Sequence, residues 1–167
     1  GPPRILHTGS STPGGTADAH PTWSPDNRLI AFQHGVNSRG AREGTPYPGR
    51  LMVLPRDATT ATAPVALMNA NGPGEPSSFW PNFSPFNQGG YYWLAFYSRR
   101  DYGNAQAGTR GRGRRQIWVT AVRNDAPAGS DPSSVPYWLP GQDPAEENMS
   151  AYWSPTACRP TGEGCRV

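Results

Sequence analysis

Residues 20–32 read HPTWSPDNRLIAF, which is an aromatic residue, a Ser-Pro-Asp-Asn stretch and then four apolar residues. Pro25 presets φ, Asp26 can hydrogen-bond its own backbone, and Asn27 tolerates the left-handed conformation, so this stretch predicts a tight turn. The four apolar residues at 29–32 predict a buried strand that follows it. We therefore expect a short strand that ends at the aromatic residue, turns and returns.

The same pattern recurs at WPNFSPFNQGGYYWLAF, residues 80–96, and at AYWSPTAC, residues 151–158. Short apolar segments precede all three copies and follow the first two at similar spacing. Recurrence at this scale indicates stacked supersecondary units. The residues of the repeat signature are Trp23, Ser24, Pro25, Asp26, Phe83, Ser84, Pro85, Trp153, Ser154 and Pro155. We expect the three signature aromatic residues to occupy equivalent positions, each ending a strand and packing against the neighbouring unit.

The apolar segments predict four short strands per unit. No segment of ten or more residues has a 3.6-residue apolar period, and Gly or Pro interrupts nearly every candidate helix. Six Trp, seven Tyr and five Phe in 167 residues favour a folded chain over a disordered one, despite 20 Gly and 20 Pro. The predicted fold class is all-β, with about two complete four-stranded β-propeller blades, partial blades and little or no helix.

The first copy, PTWSPDNRLIAF, resembles the repeat of TolB-like (WD-like) bacterial β-propeller proteins, whose usual form is P-x-W-S-P-D-G-x-x-I-A-F. The second copy, PNFSPFNQGGYYWLAFYSRRDYG followed by RQIWVTAV, matches the same scheme. Asn27 replaces the family's Gly, and the third copy breaks off after Pro155. The resemblance implies a propeller fold and a location outside the cell or in its envelope (the periplasm or the outer surface). It does not imply one activity.

A closed propeller needs about four to eight blades. We therefore expect either the C-terminal part of a longer propeller or several chains that close one ring together. A different small sheet protein is the third interpretation. We assign residues 1–157 to the blades and 158–167 to a C-terminal tail.

Two cysteines, Cys158 and Cys165, enclose the short segment RPTGEG in that tail. They are the only cysteines of the chain, so we expect one disulfide and an oxidising compartment. A metal pair is the alternative, but the sequence has no C-x-x-C and no second pair. His7, His20 and His34 are scattered, so we expect neither a metal site nor a cofactor.

Arginine is the distinctive charged residue, since all fifteen basic residues are Arg. The candidate anion-binding residues are Arg99, Arg100, Arg110, Arg112, Arg114 and Arg115. Arginine forks could bind phosphate, sulfate or uronate groups, and similar segments bind RNA. Alternatively, these arginines pair with the acidic stretch at 125–147. Eight aromatic residues could form a glycan platform or pack between blades: Trp80, Tyr91, Tyr92, Trp93, Trp118, Tyr137, Trp138 and Trp153.

Catalytic patterns are missing from the sequence. There is no G-x-S-x-G motif, and the adjacent pair Glu146-Glu147 would point to opposite faces of a strand. No window of about 20 apolar residues could span a membrane. We expect a non-enzymatic extracytoplasmic module for protein binding or assembly, whose partners are other protein chains or the rest of a parent propeller. The alternatives are an accessory propeller domain of a secreted hydrolase and a binder of an anionic polymer (polysaccharide or nucleic acid).

Overall fold

The computed structural model describes residues 3–8, 16–35, 48–73, 77–101 and 114–154. Within these ranges the chain is mostly β, as predicted, with helix limited to one turn. None of the described residues form a helix long and apolar enough to cross a membrane. The elements are β1 (Ala17–Trp23), β2 (Leu29–Gly35), β3 (Gly49–Pro55), β4 (Val65–Ala66), α1 (Met68–Asn71), β5 (Ser78–Gln88), β6 (Tyr91–Ser98), β7 (Gln116–Arg123) and β8 (Tyr137–Trp138).

The strands form two four-stranded antiparallel sheets, each with its strands side by side in chain order. We call the sheet of β1–β4 sheet 1 and the sheet of β5–β8 sheet 2. The apolar segments of the sequence lie on these strands. β2, for example, begins at Leu29, directly after the turn, and β6 contains the run Trp93–Phe96. The prediction of four short strands per unit is confirmed for both sheets.

The two sheets pair their strands in the same register. In sheet 1, Trp23 pairs with Ile30. In sheet 2, Phe83 at the matching position of the signature pairs with Leu94. The other strand pairs of the two sheets also align residues at equivalent positions of the repeat. The repeat seen in the sequence is therefore also a repeat of the structure.

A left-handed residue lies three positions before the signature aromatic residue in all three copies. Its φ is 54° at His20, 51° at Trp80 and 59° at Ser150. Residues other than glycine seldom adopt this conformation. In β1 and β5 the pairing register shifts at this point, as in a β-bulge. The third copy thus shares this left-handed residue with the first two, although residues 150–154 form no strand.

A side-chain amide extends the short fourth strand of each sheet. Asn71 accepts a hydrogen bond from the Leu51 N–H through Oδ1 (2.8 Å) and donates Nδ2–H to the Leu51 carbonyl (3.0 Å). Gln142 makes the same two contacts to Ile117, at 2.7 Å and 2.9 Å. Both amides accept from a backbone N–H that the short fourth strand does not reach, while the carbonyl of the same residue also accepts from Leu67 or Leu139.

Both sheets are apolar on both faces. The largest cluster lies between the sheets and includes Leu51 of sheet 1 and Leu94 of sheet 2. A second cluster, around Phe32, covers the face of sheet 1 that points away from sheet 2. A third cluster consists of Phe79, Tyr97 and Ile117 of sheet 2 and contacts Ala151 of the third copy. The third copy therefore packs on sheet 2.

The prediction that each signature aromatic residue ends a strand and packs against a neighbouring unit is only partly correct. Trp23 ends β1, but Phe83 lies within β5 and Trp153 lies in no strand. Phe83 is buried against sheet 1, and the Trp153 indole donates to the carbonyl of Asn82 in sheet 2 (2.9 Å).

Trp23 departs furthest from the prediction, because 47% of it is exposed. The matching position in sheet 2, that of Phe83, faces the preceding sheet. The same position in sheet 1 therefore places Trp23 on the face that points away from sheet 2. Among the described residues, Arg4–His7 and Ala58 approach that face. The aromatic side chain is thus in the expected register but has no sheet to cover it.

Candidate functional site

The turn of the first signature is held by side chains. The Ser24 hydroxyl accepts hydrogen bonds from the N–H groups of Arg28 (3.1 Å) and Leu29 (3.0 Å) and donates to Oδ1 of Asp26 (2.9 Å). Asn27 has a φ of 59°, which confirms the predicted left-handed conformation. The Ser-Pro-Asp-Asn string therefore encodes a turn whose backbone donors are satisfied locally.

The same turn also contacts the next sheet. The hydroxyl of Tyr92, at the start of β6, donates to Oδ2 of Asp26 at 2.5 Å. Tyr92 is fully buried, whereas the Asp26 side chain is 29% exposed. A hydrogen bond to a carboxylate is stronger than one between neutral groups. Asp26 therefore ties the turn of sheet 1 to sheet 2.

This contact shifts the pKa values of both groups. Burial and the hydrogen bond to Asp26 raise the pKa of Tyr92 to about 12. Burial alone would raise the pKa of Asp26. This effect is outweighed by hydrogen bonds from Tyr92, Ser24 and the Arg28 backbone and by the charge of Arg28, so the pKa of Asp26 is lowered overall. At neutral pH the carboxylate is charged and the phenol is neutral, so Tyr92 is the donor.

The other copies keep only part of this turn. Ser84 is buried and accepts a hydrogen bond from the Phe86 N–H (3.2 Å), but Phe86 stands where the first copy has Asp26. Pro85 is exposed within β5. Pro155 of the third copy lies outside the described residues. The cross-sheet carboxylate contact is thus specific to the first signature.

The structure describes four of the six predicted anion-binding arginines, which are Arg99, Arg100, Arg114 and Arg115. The other two, Arg110 and Arg112, lie outside the described residues. Arg100 packs inside the protein. Its guanidinium carbon lies 5.4 Å from the Phe96 ring centroid and 5.2 Å from that of Trp118. Its Nη2 donates to Oγ of Ser78 (2.6 Å) and its Nε to Oγ of Ser98 (2.9 Å). Burial lowers the pKa of Arg100 to about 10.

Arg115 forms an ion pair with the acidic stretch. Its Nε lies 2.5 Å from Oε2 of Glu147, and its backbone N–H donates to the same oxygen (3.1 Å). Its guanidinium carbon also lies 6.0 Å from the Tyr97 ring centroid. For Arg115 the structure therefore has the pairing that the alternative interpretation described. The guanidinium groups of Arg100 and Arg115 are both engaged within the protein.

Two of the three histidines converge, which the sequence did not indicate. His34 Nδ1 lies 2.7 Å from Oδ1 of Asp18, and His7 Nε2 lies 3.2 Å from Oδ2 of the same carboxylate. His20 instead packs against the Trp80 ring, at 4.6 Å between centroids. In the part of the chain that the structure describes, no group of three potential ligands is arranged to hold a metal ion.

Of the eight candidate glycan-binding aromatic residues, four fall into two clear groups. Tyr92 and Trp118 belong to the core between the sheets. Tyr91 and Tyr137 are 38% and 45% exposed and lie on different strands. Packing, the alternative interpretation, accounts for the first group.

The predicted tail, residues 158–167, and its cysteines Cys158 and Cys165 lie outside the described residues. Comparison of the chain with protein-family models, curated proteins and solved structures found no match. What the fold defines is the class: a chain of repeated four-stranded antiparallel sheets that pack face to face.

Proposed function

We propose that the two sheets are consecutive blades of a TolB-like β-propeller and that the protein is a non-enzymatic module for protein binding or assembly outside the cytoplasm. The support is the way in which consecutive units contact each other. A propeller is a radial series of four-stranded antiparallel sheets, each packed on the next. The matched registers and the shared left-handed residue are what such a series requires.

The observation that carries the proposal is a hydrogen bond made at equivalent positions. Thr22 Oγ1 of the first unit accepts from the N–H of Phe83 in the second (3.2 Å). Asn82, which matches Thr22, donates its Nδ2–H to the carbonyl of Ala151 in the third (2.9 Å). Each unit thus uses the same strand position to contact the backbone of the unit that follows.

The outer face of sheet 1 supports the binding role. On this face Phe32 and Leu54 are already buried, whereas Trp23 is 47% exposed. Apolar faces of repeat units are normally covered by a neighbouring unit. We infer that another unit, from the same chain or from a partner chain, covers this face in the working protein.

Matched substitutions at equivalent positions test this proposal. Phe83→Ala should lower the free energy of unfolding by about 3–5 kcal/mol, as for other buried aromatic residues. Trp23→Ala should lower it by less than about 1.5 kcal/mol in the isolated chain, because half of this side chain already contacts water. In the native particle, Trp23→Ala should weaken the association of units. Urea denaturation and light scattering after gel filtration measure these two effects.

The mass of the native particle gives the second test. A ring of blades should have at least twice the 18.0 kDa of this chain. The mass of the denatured chain then distinguishes a ring of identical chains from one longer chain, including one that carries a hydrolase domain. A stable native particle of 18.0 kDa with Trp23 still exposed would contradict the proposal.

Binding of an anionic polymer through the arginine-rich segment is a separate prediction. The variant replaces Arg110, Arg112, Arg114 and Arg115 by Ala. If the segment binds polyanions, this variant should elute from heparin at lower salt than the unmodified protein, because phosphate or sulfate contacts release counterions. If the variant and the unmodified protein elute at the same salt concentration, the segment does not bind the polyanion. Internal pairing of the kind seen at Arg115 would then explain why the segment is rich in arginine.

A further inference from the structure

A cavity of about 640 Å³ opens between the two sheets, beside the ends of β3 and β7. Its volume lies in the range of sites for small organic ligands. The first sheet contributes Arg28 and Arg56 to the wall, the second contributes Arg123, and the N-terminal segment contributes Arg4. Described residues of both sheets contribute to its lining.

The charge of this cavity is strongly one-sided. Four arginines and one acidic residue, Asp57, are among the residues that line it, and all four arginines are exposed. The side chains of Arg56 and Arg123 make no salt bridge or hydrogen bond to any residue that the structure describes. Nε of Arg28 lies 3.4 Å from Oδ2 of Asp26, and the Arg28 side chain is 74% exposed. Like charges held together repel one another, and an anion between them removes that cost.

The rest of the wall is apolar. Leu29, Val53 and Val65 come from sheet 1, and Pro127 and Pro132 come from the connection between β7 and β8. Such walls favour the carbon skeleton of a ligand over a hydrated inorganic ion. Asn124 and Ser130 add polar groups near the arginines. The cavity therefore combines an anion-binding wall with an apolar pocket.

We propose that this cavity binds a small organic anion, with an apolar body against the valines and an acidic group (carboxylate, phosphate or sulfonate) between Arg56 and Arg123. Arg56 directly follows β3 of sheet 1 and Arg123 ends β7 of sheet 2, so each side of the cavity contributes an arginine to its wall. The inference goes beyond the proposed function and does not depend on it, because both sheets that form the cavity are described.

A pair of fluorescent probes tests the proposal on the full chain. Anilinonaphthalene sulfonate has an aromatic body and one acidic group, and N-phenyl-1-naphthylamine has the same body without the acid. The sulfonate probe should bind at one site per chain, at least about tenfold more tightly than the neutral probe, since the two differ by charge-assisted contacts. Inorganic phosphate should compete only weakly, because it lacks the apolar body.

The variants Arg56→Gln and Arg123→Gln should each weaken binding of the sulfonate probe by about tenfold. They should leave the neutral probe unaffected. Arg50→Gln is the matched control, because Arg50 is an exposed arginine near the opposite end of β3. It should change neither affinity. Circular dichroism shows whether each variant keeps its fold. If a Gln variant does not fold, the corresponding variant Arg56→Lys or Arg123→Lys, which keeps the charge, takes its place.

Three results would overturn the proposal. The first is equal affinity for the two probes, which would mean that charge contributes nothing. The second is an equal loss of sulfonate binding in Arg50→Gln and the cavity variants, which would show general attraction to a basic surface. The third is displacement of the probe by inorganic phosphate at similar concentrations, which would show a simple anion site without a role for the apolar wall.

Discussion

Removing the hydrogen bond between Tyr92 and Asp26 should reveal how much the signature turn contributes to joining the two sheets. A hydrogen bond to a charged group contributes about 1.5–3 kcal/mol. The carboxylate is 29% exposed and can exchange this bond for water, so Tyr92→Phe should cost an amount at or just below the low end of that range, about 1–2 kcal/mol. Asp26→Ala should cost more, about 2–4 kcal/mol, because it leaves a buried hydroxyl without an acceptor and removes the turn contacts of the carboxylate.

Urea denaturation of the two single variants and the double variant gives the coupling energy between the side chains. We expect about 1–2 kcal/mol, the value of the contact itself. Tyr91→Phe is the matched control, since this neighbouring tyrosine is 38% exposed, and it should change stability by less than about 0.5 kcal/mol. If the effects of the single variants simply add, the two sheets are not joined by this hydrogen bond and the reasoning fails.

The same contact predicts the pH dependence of stability. The pKa of Asp26 is lowered in the folded protein, so its contribution is present above about pH 4 and is lost as the pH falls through the folded pKa. The pKa of Tyr92 is raised to about 12, so its contribution is present below pH 10.0 and is lost as the pH rises towards 12. Tyr92→Phe should reduce the alkaline loss in a series of denaturation curves, and the part due to Tyr97, whose pKa burial also raises, should remain. An unchanged alkaline profile in this variant would contradict the assignment.

Two further predictions concern packing and the tail. A Cβ at Gly49 would lie 2.1 Å from Cε1 of the buried Phe79 ring, so Gly49→Ala should lower the free energy of unfolding by about 1–3 kcal/mol. Adding Phe79→Leu should recover part of this loss, and no recovery would place the strain elsewhere. Separately, mass spectrometry without reductant should find the chain two hydrogens lighter than the dithiol if Cys158 and Cys165 are bonded. Two free thiols in fresh native protein would argue against both the disulfide and the extracytoplasmic location.

Local patterns made the strands and the turn predictable. The run at 29–32 is apolar and bounded by turn residues, so burial and turn chemistry favour the same strand. The contacts between sheets could not be predicted in this way. Tyr92 and Asp26 are 66 residues apart, and neither residue shows in the sequence that it will meet the other. The convergence of His7 and His34 on Asp18 is hidden for the same reason.

The amide contacts show a second limit of sequence reasoning. Asn71 and Gln142 make the same pair of hydrogen bonds in the two sheets but differ in type. Asn71 is the last residue of the helical turn α1, whereas Gln142 follows the turn at 140–141. The longer glutamine side chain reaches its strand from a different backbone path. A search for recurring residue types in the sequence misses such a pair, because the two sheets share the contact but not the residue type.

The arrangement of contacts explains why the Trp-Ser-Pro-Asp string recurs in a chain of this kind. Its serine closes the turn within one unit, but its other residues act between units. Asp26 receives Tyr92 from the second sheet, Phe83 packs on the first sheet, and Trp153 donates to Asn82 of the second. Because the signature residues contact neighbouring units, the signature of a unit at the free end of a series lacks part of these contacts. In the described chain that unit is the first, and the exposed Trp23 is the direct consequence.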